Sequence, residues 1–113
     1  ITMMEKKEIL EQRYDHLRRA LMCEPRGHKD MVGALILPAE HTASAFGVVF
    51  HGCEREWVNM CGHASIGCAM YAVEAGLVPV CEPHTEVVMD TPSGTICASV
   101  GVENKKSAGG YLA

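Results

Sequence analysis

The chain has 113 residues, 48% apolar and 21% charged, with a formal charge of −4, which suits one small globular domain and excludes a wholly disordered chain. Residues 1–30 hold seven basic and six acidic side chains, whereas residues 31–104 hold one basic residue, Arg55, and eight acidic ones. That middle stretch repels phosphate, which argues against nucleic acid or a membrane surface as partner.

In chain order, Thr2 and Glu5 have capping-box spacing and head a run, Lys6 to Met22, without Gly or Pro. Leu10, Tyr14, Leu17 and Leu21 put one apolar face on that predicted helix. Pro25 stops it, because the residue before a proline resists helical geometry. Val32 to Pro38 and Phe46 to Phe50 read as strands, joined by a polar connection over residues 39–45. Trp57 to Met60 looks extended and leads through Cys61, Gly62 and His63 into a helix from Ala64 to Ala75, ended by Gly76. That helix is apolar nearly all round, so it is expected as a buried central helix. Glu86 to Asp90 and Thr95 to Val102 are strand-like around a Thr-Pro-Ser-Gly turn. Residues 104–113 read as a frayed tail. The order α-β-β-β-α-β-β places the chain in the mixed α/β (α+β) class.

No apolar run reaches the roughly 18 residues of a membrane span, and no secretory signal opens the chain, so a cytoplasmic protein is expected. Six cysteines admit a disulfide framework. Against it stand the missing secretory signal, seven methionines, and the placement of most cysteines inside apolar runs. Cys61 and Cys68 on one helix would be about 10.5 Å apart in rise, too far to bridge. Six free thiols, most of them packing residues, are expected.

Cys61 stands apart from the others. It falls at a strand-to-helix junction, where unpaired backbone N–H groups and the positive helix end stabilise a thiolate that can act as nucleophile or base. Gly62 leaves room for close approach to the backbone, and the N–H groups of Gly62, His63 and Ala64 can bind a carboxylate or phosphate. The competing reading is a small buried cysteine that happens to precede a helix. His63 could lower the thiol pKa or bind a ligand, or it could simply cap its own helix. Cys53, Cys61, His63, Cys68 and Cys81 cluster in sequence, but no C-x2-C or H-x3-5-H pair occurs, so no metal is expected. The polar turn from Glu24 to Asp30 reads as a corner closed by an Arg26–Asp30 salt bridge.

Taken together, several segments resemble one family. Leu17-Arg-Arg-Ala-Leu-Met-Cys-Glu-Pro-Arg-Gly-His-Lys-Asp-Met-Val-Gly-Ala34 is similar to the LRR-L-EPRGH-DM-GA segment of the proline racemase family, and Asn59-Met-Cys-Gly-His-Ala-Ser-Ile-Gly67 to its first catalytic motif, MCGH. Val73 to Val78 and Val87 to Gly94 match the segments that follow, so the resemblance runs over about residues 3–106. It implies cofactor-independent chemistry at the α-carbon of proline or a hydroxyproline, with two residues on opposite faces of the substrate exchanging protons. Cys61 matches the first of these, and Gly62 and His63 match positions that cradle the substrate carboxylate. Val32 falls where proline racemases carry Phe against the ring and hydroxyproline epimerases a smaller residue. His63-Ala64 also occurs in trans-3-hydroxyproline dehydratases.

The resemblance further implies a partial lobe of a diaminopimelate-epimerase-like fold, a mixed β-sheet or barrel around a central helix starting near Cys61. Residues 1–106 would be that incomplete lobe and 107–113 its tail. Family members are longer, with two similar halves and the site in the cleft between them. The second motif, Asp-x-x-Pro-Cys-Gly-Thr-Gly-Thr, is missing here. Asp90 to Thr95 imitates it with Ser93 in the cysteine position, but its neighbours match the first half, which makes Ser93 a turn residue. The expected reading is an enzyme half-site with a small-molecule substrate, no cofactor, and bare edges that favour a homo-oligomer or other self-association. The alternatives are a dehydratase fragment and a truncated, non-catalytic interaction domain.

Overall fold

The computed structural model of the protein describes residues 1–54, 56–104 and 106–112. The elements are α1 (Met3–Arg13), α2 (Asp15–Met22), β1 (Val32–Leu37), β2 (Phe46–Gly52), β3 (Trp57–Val58), α3 (Gly62–Glu74), β4 (His84–Thr91), β5 (Gly94–Glu103) and β6 (Lys106–Leu112). They form one mixed, curled sheet in the order β1-β2-β4-β5-β6, with β3 paired to β2 off this path. Every pairing is antiparallel except β2 with β4, which is parallel because the chain crosses over through α3 between them.

Strand alternation divides the core. Phe46, Val48 and Phe50 point from β2 toward α3 and bury against Cys68, Ala69, Ala72 and Val73, with Val87, Met89, Ala98, Val100 and Val102 completing the cluster. The small residues of α3 let the helix lie close on the sheet. Val49 points the other way and packs with Met3 and Trp57 beneath α1. Gly47 lies on this second face, where a Cβ would stand 2.6 Å from the Met3 sulfur, so any larger residue makes the Met3 side chain shift.

Five expectations need correction. The first helix is two, broken at Tyr14 (φ −124°, ψ 14°). The break lets Asp15 head α2 and accept hydrogen bonds from Arg18 Nε at 2.7 Å and Trp57 Nε1 at 2.8 Å, contacts that local periodicity cannot foresee. The Thr2–Glu5 capping box is present as read. Second, α3 is not buried all round, because it covers one face of the sheet and leaves Tyr71 54% exposed on its outer side. Third, residues 106–112 form β6 rather than a tail, while residue 113 lies outside the described residues. Its small side chains have little intrinsic strand preference, and pairing with β5 imposes the conformation. Gly110 also allows close packing, since a Cβ there would lie 3.2 Å from the Ser99 carbonyl oxygen and 3.5 Å from Ile66.

Fourth, the thiols are not all free. Cys23, at the C-terminus of α2, and Cys53, just after β2, form a disulfide with Cα atoms 5.0 Å apart. Both lie at the ends of apolar runs that the sheet brings together across 30 residues of chain. Cys61, Cys68, Cys81 and Cys97 are free. The Glu24–Asp30 corner also closes differently: Arg26 reaches the Ala20 carbonyl at 3.5 Å, and the Asp30 N–H donates to His28 Nδ1 at 3.1 Å.

Candidate active site at the start of the third helix

The site begins with the strand-to-helix junction. Cys61 is the N-cap of α3 in an extended conformation (φ −145°, ψ 113°). Its carbonyl accepts the Ser65 N–H at 2.9 Å and the Ser65 hydroxyl at 2.7 Å, and Ser65 is fully buried, so the junction is pinned from below. Among the described residues the half-buried Cys61 side chain makes no capping hydrogen bond, so its thiol is not spent on the helix end. The first N–H groups of a helix have no intrahelical acceptor, and no acidic side chain of this chain occupies the first turn of α3. Space above Gly62 is open, with no atom within 4 Å of the position a Cβ would take.

Two adjoining cavities share this junction. One, of about 690 Å³, is lined by Lys29, Asp30, Met31, Val32, Glu54, Cys61, His63 and Ala64. The other, of about 240 Å³, is lined by Val32, His51, Gly52, Val58, Met60, Cys61, Gly62 and His63. The four residues singled out from sequence, Val32, Cys61, Gly62 and His63, therefore meet in one place. Val32 stands at the start of β1, 41% exposed. Ser93 lies in the β4–β5 turn.

Sequence reasoning missed part of the cavity wall. Lys29 and Asp30 belong to the polar turn read as a structural corner, and their polarity was the available signal. Glu54 follows β2 in an irregular segment, and nothing local marked it. Of the other free thiols, Cys68 lies two turns into α3, where burial, and secondarily the nearby Cys61, pushes its pKa up. Burial, with Glu86 as the second cause, does the same to Cys97. Neither lines the cavities around Cys61.

A network of charge supports the β2 end of the site from the opposite face. Arg18 is 5% exposed, pairs with Asp15, and donates from Nη1 to the carbonyls of Gly52 at 2.8 Å and Cys53 at 2.7 Å. The Arg18 hydrogen bond, outweighing burial and joined by that of Trp57, lowers the Asp15 pKa to about 2. His51 lies beside this network, 3% exposed and 5.1 Å from the Trp57 ring, and among the described residues its Nδ1 has no hydrogen-bond partner. Burial, then the Arg18 charge, holds its pKa below the ordinary histidine value.

A curled α+β lobe that presents a free cysteine from a helix N-terminus into an open cavity defines the class to which this chain belongs. The chain is a member of the proline racemase family, whose family model matches residues 1–109. It is 48% identical over 105 residues to a proline racemase from Acetoanaerobium sticklandii, covering 93% of this chain and 31% of that protein. It is 50% identical over 97 residues to a trans-3-hydroxy-L-proline dehydratase from Colwellia psychrerythraea, covering 86% of this chain and 27% of that protein. Among solved structures, a probable proline racemase from Agrobacterium radiobacter K84 with bound carbonate superposes with a TM-score of 0.85 at 27% identity, covering 93% of this chain and 31% of that one. The chain thus spans about a third of the length of the relatives it matches.

Proposed function

We propose that this chain supplies one half of the active site of a cofactor-independent proline racemase or hydroxyproline 2-epimerase, with Cys61 as one of two acid/base groups. The observation that carries the reading is the free Cys61 thiol at the N-cap of α3, sharing its cavity with Val32 and His63. The substrate carboxylate sits on the N–H groups of Gly62, His63 and Ala64, assisted by the His63 side chain. Cys61 as thiolate takes the α-proton, and the C–H electron pair passes into the carboxylate. The helix end stabilises the charge that develops there more in the transition state than in the ground state. Inversion needs a proton from the opposite face, and no residue of this chain matches the family's second motif, so the 113-residue chain by itself does not turn over. The small Val32 favours a substituted ring.

The test is protection. Iodoacetamide labels Cys61, and L-proline or trans-4-hydroxy-L-proline slows that labelling by occupying the helix end. Labelling unaffected by either amino acid in the folded chain overturns the reading, as does racemisation of proline by this chain at a rate typical of intact enzymes.

A second reading is favoured by the 50% identity to a trans-3-hydroxy-L-proline dehydratase. Removal of the α-proton by Cys61 is common to both reactions. In dehydration, the carbanion's electron pair forms the Cα–Cβ double bond as the 3-C–O bond breaks, and a general acid gives the departing hydroxyl a proton so that it leaves as water, in place of reprotonation at the α-carbon from the far side. Protection by trans-3-hydroxy-L-proline in preference to the 4-hydroxy isomer selects this alternative.

A further inference from the structure

The Cys61 cavity is walled opposite the helix by two pieces of chain, residues 29–32 and Glu54. The Cys23–Cys53 disulfide joins the residue that opens the turn leading into the first piece to the residue immediately before the second. Further bonds converge on Cys53. Its N–H donates to the Met31 carbonyl at 3.3 Å, and its own carbonyl accepts from Arg18 at 2.7 Å. Met31 itself lines the cavity, so the wall is one connected unit attached to α2 through a covalent bond and hydrogen bonds in parallel. Cys23 and Cys53 are both half-buried, within reach of a small thiol but away from bulk solvent.

We infer that the Cys23–Cys53 bond is a redox-operated brace on the mouth of the Cys61 cavity. Oxidised, it holds the joined 29–32 and Glu54 walls against the end of α2. Reduced, it lets the wall shift relative to α2, while the Arg18 hydrogen bonds keep the loop near that helix and the Met31–Cys53 bond keeps the two pieces together, so the wall loosens without the lobe unfolding. In the reducing step, a thiolate of a dithiol reductant attacks one sulfur of the pair and the S–S bond breaks. The reductant's second thiol then resolves the mixed disulfide. Two electrons come from the reductant, which leaves as a disulfide, and Cys23 and Cys53 each end with one proton. A low-molecular-weight disulfide of the glutathione class reverses the step. The functional consequence rests on the reading of Cys61 as the substrate-facing base, but the structural one does not.

The experiment measures thiol accessibility in the 113-residue chain. One sample is oxidised with glutathione disulfide and another is reduced with a phosphine, and both are desalted. Each is then pulsed with iodoacetamide, and the Cys61 and Cys68 peptides are quantified by mass spectrometry. A Cys23–Cys53 cross-linked peptide is expected in the oxidised sample, with Cys61 labelling several-fold faster after reduction and Cys68 protected in both. Cys23→Ser and Cys53→Ser are each expected to label Cys61 at the fast rate whatever the redox treatment. Absence of the cross-link, or one Cys61 rate across oxidised, reduced and variant chains, overturns the inference. Equal acceleration at Cys68 overturns it too, because reduction would then open the whole lobe. If the brace effect appears while amino acids fail to protect Cys61, the proposed function falls and the brace stands.

Discussion

On the α3 side of the sheet, Phe46, Val48 and Phe50 meet Ala69, Ala72 and Val73 in a dry core that continues across β4 and β5. Among the described residues the opposite side buries only Met3, Val49 and Trp57 as apolar anchors, and holds α1 and α2 with Asp15, Arg18 and the strand-end carbonyls. There, Leu10, Tyr14, Leu17 and Leu21 line an open apolar groove of about 250 Å³ with Leu35, Leu37 and Trp57. The same strands thus carry one face closed by packing and one closed by directed polar bonds. Packing tolerates small displacements and sets the position of α3. The polar face sets the loop that ends in Cys53 and Glu54, and so the wall of the Cys61 cavity.

The largest effect is expected in the packed face. Phe50→Ala leaves a cavity beneath α3 and lowers stability by about 3–5 kcal/mol in a denaturant titration. A loss under 1 kcal/mol would mean that the two faces do not differ as described.

On the polar face, Asp90 is 1% exposed and accepts hydrogen bonds from the Glu40 and His41 N–H groups, Ser44 and Thr95. Burial pushes its pKa up, but these bonds outweigh burial and hold it well below the usual carboxylate range. Asp90→Ala strands those donors and costs about 2–3 kcal/mol. Asn, which keeps an acceptor oxygen, should recover part of the loss in the same titration.

Asp15 makes the polar face acid-sensitive. Its folded pKa of about 2 lies below the ordinary 3.8, so its contribution is present above pH 3.8 and is lost as pH falls through 2. Asp15→Asn should remove that slope from a stability–pH profile, and an unchanged slope would show that the Arg18 pair contributes nothing.

His51→Leu should raise stability by about 1 kcal/mol at neutral pH, because it removes a buried nitrogen that lacks a partner. Since the folded pKa of His51 lies below its ordinary 6.5, its neutral form supports the fold above pH 6.5, and stability is lost as pH drops through the folded value. The Leu variant should flatten that part of the profile. Smallest is the effect of His41, on the rim of the same face. The Asp90 hydrogen bond raises its pKa above 6.5, so its contribution is present below pH 6.5 and fades as pH rises through the folded value. His41→Ala should erase a shallow slope of that sign, most visibly at low salt.

Much of this was legible because it is local. Thr2 and Glu5 close a capping box within three residues, Gly76 adopts φ +75° after α3, and Thr-Pro-Ser-Gly turns β4 into β5. Cys61 could be placed at a helix start from its neighbours alone, and the site around it was legible to that extent. Lys29, Asp30 and Glu54 were not placed there, since their arrival depends on how β1 and β2 pair. Tyr14, Cys23 and Cys53 were misread for the same reason: the bonds that decide them lie far away in sequence; residues 106–112 pair with the neighbouring β5, but their small side chains carry no strand signal.

The sequence by itself determined most of the helix and strand periods, the turn at residues 91–94, the family resemblance and the place of Cys61 at a helix start. Each of these depends on neighbours within a turn of helix or a strand's length, or on motifs that can be read in order. Only the tertiary structure decided that Cys23 and Cys53 pair, that His51 Nδ1 is buried without a hydrogen-bond partner among the described residues, and that α3 covers one side of the sheet. Those outcomes follow from the packing of α2 on β2, from the crossover of α3 between β2 and β4, and from burial, none of which has a local signature in the chain.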